Sequence, residues 1–102
     1  MILREGLPPG IALAMVAHAA GESSRMATSL DPDAHAAVLE AGGPELLALE
    51  AQLRGAGVAH AAIREPDEPY CGELLAIGVA PQQRGPLRRF LSRFRLAGKT
   101  NK

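Results

Sequence analysis

Tryptophan is absent from this chain, tyrosine occurs once and phenylalanine twice in 102 residues. A core without large rings must be assembled from Ala, Leu, Ile and Val, whose small side chains require closely approaching elements. Exposed aromatic platforms, a common grip on single-stranded bases, are scarcely available. Cys71 is the one cysteine; an intramolecular disulfide is excluded, and a reducing, cytoplasmic setting is expected. No apolar run approaches the roughly 20 residues that cross a bilayer, so a helical membrane protein is not expected. The sequence also has no Gly-x-Gly-x-x-Gly, no Gly-Lys-Ser/Thr, and no Cys-x-x-Cys or His-x-x-x-His pair. Phosphate loops and common metal sites are thereby removed, and no cofactor or metal is expected.

One absence is local. From Pro81 onward there is no carboxylate, and Arg84, Arg88, Arg89, Arg93, Arg95, Lys99 and Lys102 stand unopposed. Residues 1–80 hold all 11 Asp and Glu against Arg4, Arg25, Arg54 and Arg64, so a net charge of zero conceals two oppositely charged pieces. Such asymmetry suits a polyanionic partner or a solvated basic helix. Arg84, Arg88, Arg89 and Arg93 are accordingly either a solvated outer face or candidate phosphate contacts.

The length fits one core. Residues 1–96 read as a single α/β domain that includes a C-terminal basic amphipathic helix, and 97–102 as a flexible tail. Met1–Arg4 is an apolar first strand, reversed by Pro8-Pro9-Gly10. Arg4, the run Ile11–Ala17 and the triplet Ala17-His18-Ala19 imitate a short signal peptide, but Glu5 cancels its basic start and the prolines open a helix instead. Ile11–Ala20 is apolar except for His18, which predicts a helix buried on most sides. Ser23–Asp33 reads as loop and His35–Glu40 as a weak strand. Leu46, Leu47, Leu49 and Leu53 predict a helix over Glu45–Gly55, with Glu45, Glu50 and Arg54 outward. Val58–Ile63 and Leu74–Ala80 read as buried strands around an acidic, Pro-containing loop. Leu87, Phe90, Leu91 and Phe94 predict a last helix over Gly85–Leu96.

Alternating strands and helices imply parallel pairing through crossovers. The last two strands are separated by too short a link for a crossover and should run antiparallel. The expected fold is therefore α/β, a mixed four-stranded sheet with helices on both faces.

Few residues offer chemistry. Ser23, Ser24, His18 and Asp31 can be drawn as a triad, but nothing places either serine on a strained turn. Cys71 could act as a nucleophile near His60 or His18, although a lone loop cysteine is more commonly inert. His18, interrupting an apolar helix, is either a core-edge histidine or an acid, base or RNA contact. Glu65, Asp67 and Glu68 are either solvated or functional at the end of a strand.

Three segments, taken in order, resemble the type II peptidyl-tRNA hydrolases. They are Gly10-Ile11-Ala12-Leu13-Ala14-Met15-Val16-Ala17-His18-Ala19-Ala20, Gly55-Ala56-Gly57-Val58-Ala59-His60-Ala61-Ala62-Ile63-Arg64-Glu65, and Leu75-Ala76-Ile77-Gly78-Val79-Ala80-Pro81. The family's counterparts are a Gly-Lys-x-Ala-x-Gln-x-x-His-Ala helix, an Ile-Arg-Asp strand end and an Ala-Ile-Gly-x-x-Pro strand end. The resemblance implies a small α/β domain that hydrolyses the ester between peptide and tRNA without metal or organic cofactor. By position, His18 matches the helix histidine and Glu65 the aspartate, with Asp67 as a substitute if the shorter loop shifts register. Ile11 stands at the lysine position and Met15 at the glutamine position, and the family's threonine has no counterpart among Pro69, Tyr70 and Cys71. The implied catalytic residues are Glu65, Asp67 and His18, and the implied partner is tRNA. A second reading is a non-catalytic binding protein on the same fold, or one that forms a homodimer through its Ala-rich helix.

Overall fold

Ile2 and Leu3 are neighbours in β1 (Ile2–Arg4) and both are buried, so the sheet must be covered on each face. The computed structural model describes residues 1–25, 38–80 and 84–97, with side chains from Leu87 in the last stretch. Its elements after β1 are α1 (Pro9–Ser24), β2 (Leu39–Ala41), α2 (Gly43–Gly55), β3 (His60–Glu65), β4 (Glu73–Val79), α3 (Arg84–Leu91) and β5 (Arg95–Leu96). The order across the sheet is β3-β4-β1-β2-β5. β1 and β2 are parallel, and β4 is antiparallel to both β1 and β3. β3 therefore runs in the direction of β1, as the alternation of elements predicts, while β4 lies between them.

The two faces bury different sets of side chains. Ile2, Leu74 and Ile77 pack with Leu46, Leu49 and Leu53 of α2, and Phe90, Leu91 and Phe94 lie against the same cluster. Leu3, Ile63, Leu75 and Ala76 pack with Met15 and Ala19 of α1. Simple alternation cannot put Leu75 and Ala76 on one face. The register explains it: Ile63 pairs with Ala76 but Arg64 pairs with Leu74, so Leu75 is the extra residue of a β-bulge. That step turns both side chains toward α1 and leaves Leu74 and Ile77 facing α2.

α1 approaches β4 closely because position 78 is glycine. A Cβ on Gly78 would lie 2.5 Å from the Ala19 carbonyl oxygen and 3.0 Å from the Ser23 side chain. The Ala-rich helix and the Ala-Ile-Gly strand are thus matched in size, as expected from a core poor in aromatics.

Two expectations are corrected. The described sheet has five strands rather than four, because the last helix ends at Leu91 and Arg95–Leu96 pairs antiparallel with β2. α2 does not turn Glu50 outward; Glu50 is buried, whereas Leu47 is exposed. The series i, i+3, i+4, i+7 from Leu46 reaches Leu49, Glu50 and Leu53, so helical spacing puts the carboxylate on the inner stripe. The first part of the expected strand at His35–Glu40, the loop residues 26–33 and the tail 98–102 lie outside the described residues. No described helix is long and apolar enough to cross a membrane.

Candidate functional site

His18 lies on the flank of α1 with its side chain 55% exposed, and its Nε2 is 3.9 Å from Glu22 Oε1 one turn later. Together with Glu22, Ala61, Ile63 and Arg64 it borders an open depression of about 500 Å³ along β3, an edge strand of the described sheet. The histidine is thus a surface group beside a shallow groove and not a core histidine.

Glu65 closes β3 and is engaged in the turn that follows. Its Oε1 accepts the Asp67 backbone N–H at 3.1 Å, and its carbonyl accepts the Gly72 N–H at 2.7 Å. The Asp67 carbonyl accepts the N–H groups of Tyr70 and Cys71 at 3.0 and 3.1 Å. Cys71 and Gly72 have positive φ, 48° and 91°, which lets so short a loop reverse the chain into β4. Asp67 is exposed, and its carboxylate makes no hydrogen bond or ion pair among the described residues. No hydrogen bond or ion pair joins His18 to Glu65 or Asp67.

Met15 and Ile11 occupy the positions where the resemblance implies polar groups. Met15 is 6% exposed, packed among Leu3, Ala19, Ile63 and Leu75, and Ile11 packs against the same cluster. These side chains are structural. Ser23 of the drawn triad is buried and donates to the Ala20 carbonyl at 3.3 Å; Asp31 lies outside the described residues. Cys71 is exposed and unbonded to another cysteine.

The basic segment lies across the sheet from His18. Phe90, Leu91 and Phe94 dock on the α2 side, while His18 belongs to the helix on the other face. Arg89 stacks over Phe90 and Arg93 over Phe94, each guanidinium 4.6 Å from the ring centroid. Arg93 also donates to Gln52 Oε1 at 3.2 Å. Arg88 is exposed, and the Arg84 side chain lies outside the described residues. Arg95 is 3.3 Å from Glu5 and 3.6 Å from Glu40, which neutralise it. The positive face is therefore carried by Arg88, Arg89 and Arg93 among the described side chains, and it does not share a surface with His18.

Arg64, adjacent to the matched Glu65, points into a charge cluster that the linear pattern concealed. Its Nη2 donates to Glu50 Oε1 at 2.9 Å, and Arg54 Nη2 approaches the same oxygen at 3.7 Å. Two partly exposed guanidinium groups thus serve one buried carboxylate, tying α2 to β3. A smaller depression of about 310 Å³, at the C-terminal ends of β1 and β2, is bordered by Glu5, Glu40, Glu45, Arg93 and Arg95. Among the described residues no group of three or more His, Cys, Asp or Glu could hold a metal ion. No family model matches the chain, and no curated protein matches it either.

Proposed function

We propose that the chain is a divergent peptidyl-tRNA hydrolase-like domain that cleaves an RNA-linked ester slowly. What supports this reading is a spatial coincidence. The three segments that carry the resemblance are distant in sequence yet form one layer, α1 packed over β3 and β4. Ile63 and Glu65 alternate with Arg64 along β3, so Glu65 lies on the same face of the strand as Ile63, which packs against α1. In this reading Asp67 is the base that deprotonates water, because one Glu65 oxygen is already occupied by a backbone N–H. Glu65 shapes the turn that presents Asp67, and His18 with Glu22 lines the groove for the ester. With apolar side chains at positions 11 and 15, catalysis rests on the base alone, worth roughly 10²–10⁴ in rate. A missing oxyanion donor alone lowers the rate by about 10²–10³.

The second reading, a non-catalytic binding protein, is favoured by the burial of Met15, an apolar side chain where the resemblance implies a polar one. Release of peptide from a defined peptidyl-tRNA separates the two. Slow release by the parent protein, reduced to background in Asp67→Asn and weakened in His18→Ala, supports hydrolysis. Equal release by all three proteins, or none above background, removes it and leaves binding.

A further inference from the structure

Among the described side chains, Arg95 is the one arginine beyond Pro81 whose charge is met by carboxylates. Arg89 and Arg93 lie over the Phe90 and Phe94 rings, and Arg93 donates to the neutral amide of Gln52. Arg95 Nη2 instead stands 3.3 Å from Glu5 Oε2, and its Nε 3.6 Å from Glu40 Oε2. The register brings these groups together. Glu40 is the cross-strand partner of Arg95 in the antiparallel β2–β5 pair, so both side chains leave the sheet on the same side. Glu5 follows β1, the parallel neighbour of β2, and its N–H donates to the Ala41 carbonyl at 2.9 Å. Two carboxylates from adjoining strands thus converge on one guanidinium, at a position the sheet sets.

That convergence acts on the basic face itself. Arg93 and Arg95 border the same depression, about 310 Å³, together with Glu5, Glu40 and Glu45. A polyanion approaching Arg93 therefore meets an Arg95 that is already engaged. Guanidinium takes carboxylate and phosphate oxygens in the same forked geometry, so one can stand in for the other. From this arrangement we infer that Glu5 and Glu40 form an autoinhibitory contact: they occupy Arg95 in place of phosphate and withhold it from an RNA backbone held by Arg88, Arg89 and Arg93. The inference rests on the reading that this face contacts RNA. Fixed on neighbouring strands, the two carboxylates act at high effective concentration. A phosphate that reached Arg95 would also lie within like-charge range of both. As a clamp for β5 the contact is weak, because the Arg95, Glu5 and Glu40 side chains are 43%, 51% and 21% exposed. Backbone bonding to β2 and the docking of Phe94 hold that strand.

Binding of a deacylated tRNA transcript to the full chain, measured across a salt series, tests this. The parent should give a log–log slope of about −2 to −3, from three arginines. Glu5→Gln/Glu40→Gln should bind about three- to ten-fold tighter at low salt. Its slope should steepen by about 0.7–0.9, the increment of one added phosphate contact. Two controls separate release of Arg95 from mere loss of negative charge. Glu45 borders the same depression but makes no ion pair among the described residues. Glu45→Gln should accordingly gain about two-fold or less, with an unchanged slope. Adding Arg95→Gln to the double variant should return affinity and slope to near the parent values, whereas Arg95→Gln alone should change either little. No gain in the double variant, or a gain of equal size with and without Arg95, overturns the proposal and leaves the RNA contact standing. A flat salt response in parent and variants alike removes the RNA reading, and the autoinhibitory contact with it.

Discussion

Gly78 lies against α1 with no room for a side chain. A methyl group there would meet the Ala19 carbonyl oxygen at 2.5 Å, and backbone cannot rotate away as a side chain can. Gly78→Ala should therefore cost about 3 kcal/mol in a urea titration; an unchanged midpoint would mean that α1 shifts freely over β4. Glu50 and Arg64 provide a second test. Arg64 is 46% exposed at its side chain and Glu50 only 9%, so removing either has unequal consequences. Arg64→Ala leaves the buried carboxylate with Arg54 alone at 3.7 Å and should cost about 1–2 kcal/mol after solvent screening. Glu50→Met leaves two arginines free to hydrate and should lie within about 1 kcal/mol of the parent. The opposite order would make the charge pair, rather than burial of Glu50, the stabilising element.

The elements were legible to different degrees, for identifiable reasons. The near-continuous apolar run Leu74–Ala80 and the leucines of Glu45–Gly55 announce β4 and α2 within one or two residues of their observed bounds. β3 begins and ends two residues later than its apolar composition suggests, since pairing with β4 carries it to Glu65. β5 was invisible. The spacing of Leu87, Phe90, Leu91 and Phe94 continues a helical period past the true end at Leu91, and a two-residue strand has no period of its own. It exists because of distant partners: Leu96 pairs with Leu39, and the Ala97 N–H donates to the Val38 carbonyl at 2.8 Å. In the candidate site, His18, Glu65 and Asp67 were visible as residue types, but that Glu65 holds a turn and that the arginines face away from His18 are tertiary facts. Phe94 is the pin that orients β5. Phe94→Ala should cost about 2–3 kcal/mol, less than a fully buried ring. Amide exchange at Arg95–Ala97 should then accelerate more than exchange in β4; uniform acceleration would show that β5 opens only with the whole domain.

For the molecule as a whole, the segregation of charge in the sequence is only partly retained in space. Arg95 is consumed by Glu5 and Glu40, so three described arginines, Arg88, Arg89 and Arg93, present the basic face. If they contact RNA phosphates, log K against log salt should fall with a slope of about −2 to −3, and a flat response would leave the face as hydrated surface. The sheet order has a different consequence, for the time course of folding. β4 lies between β1 and β3, and Ile2 pairs with Ile77, so strands from opposite ends of the chain must meet at the centre. As the chain emerges from a ribosome, β1 has β2 available early, but that three-residue parallel pair is too small to persist alone. β3 has no neighbour in the sheet until β4 follows it. The joining of β1 to β3 consequently waits for β4 to be complete through Val79, and until then α1 lacks the Leu75 and Ala76 part of the surface it covers.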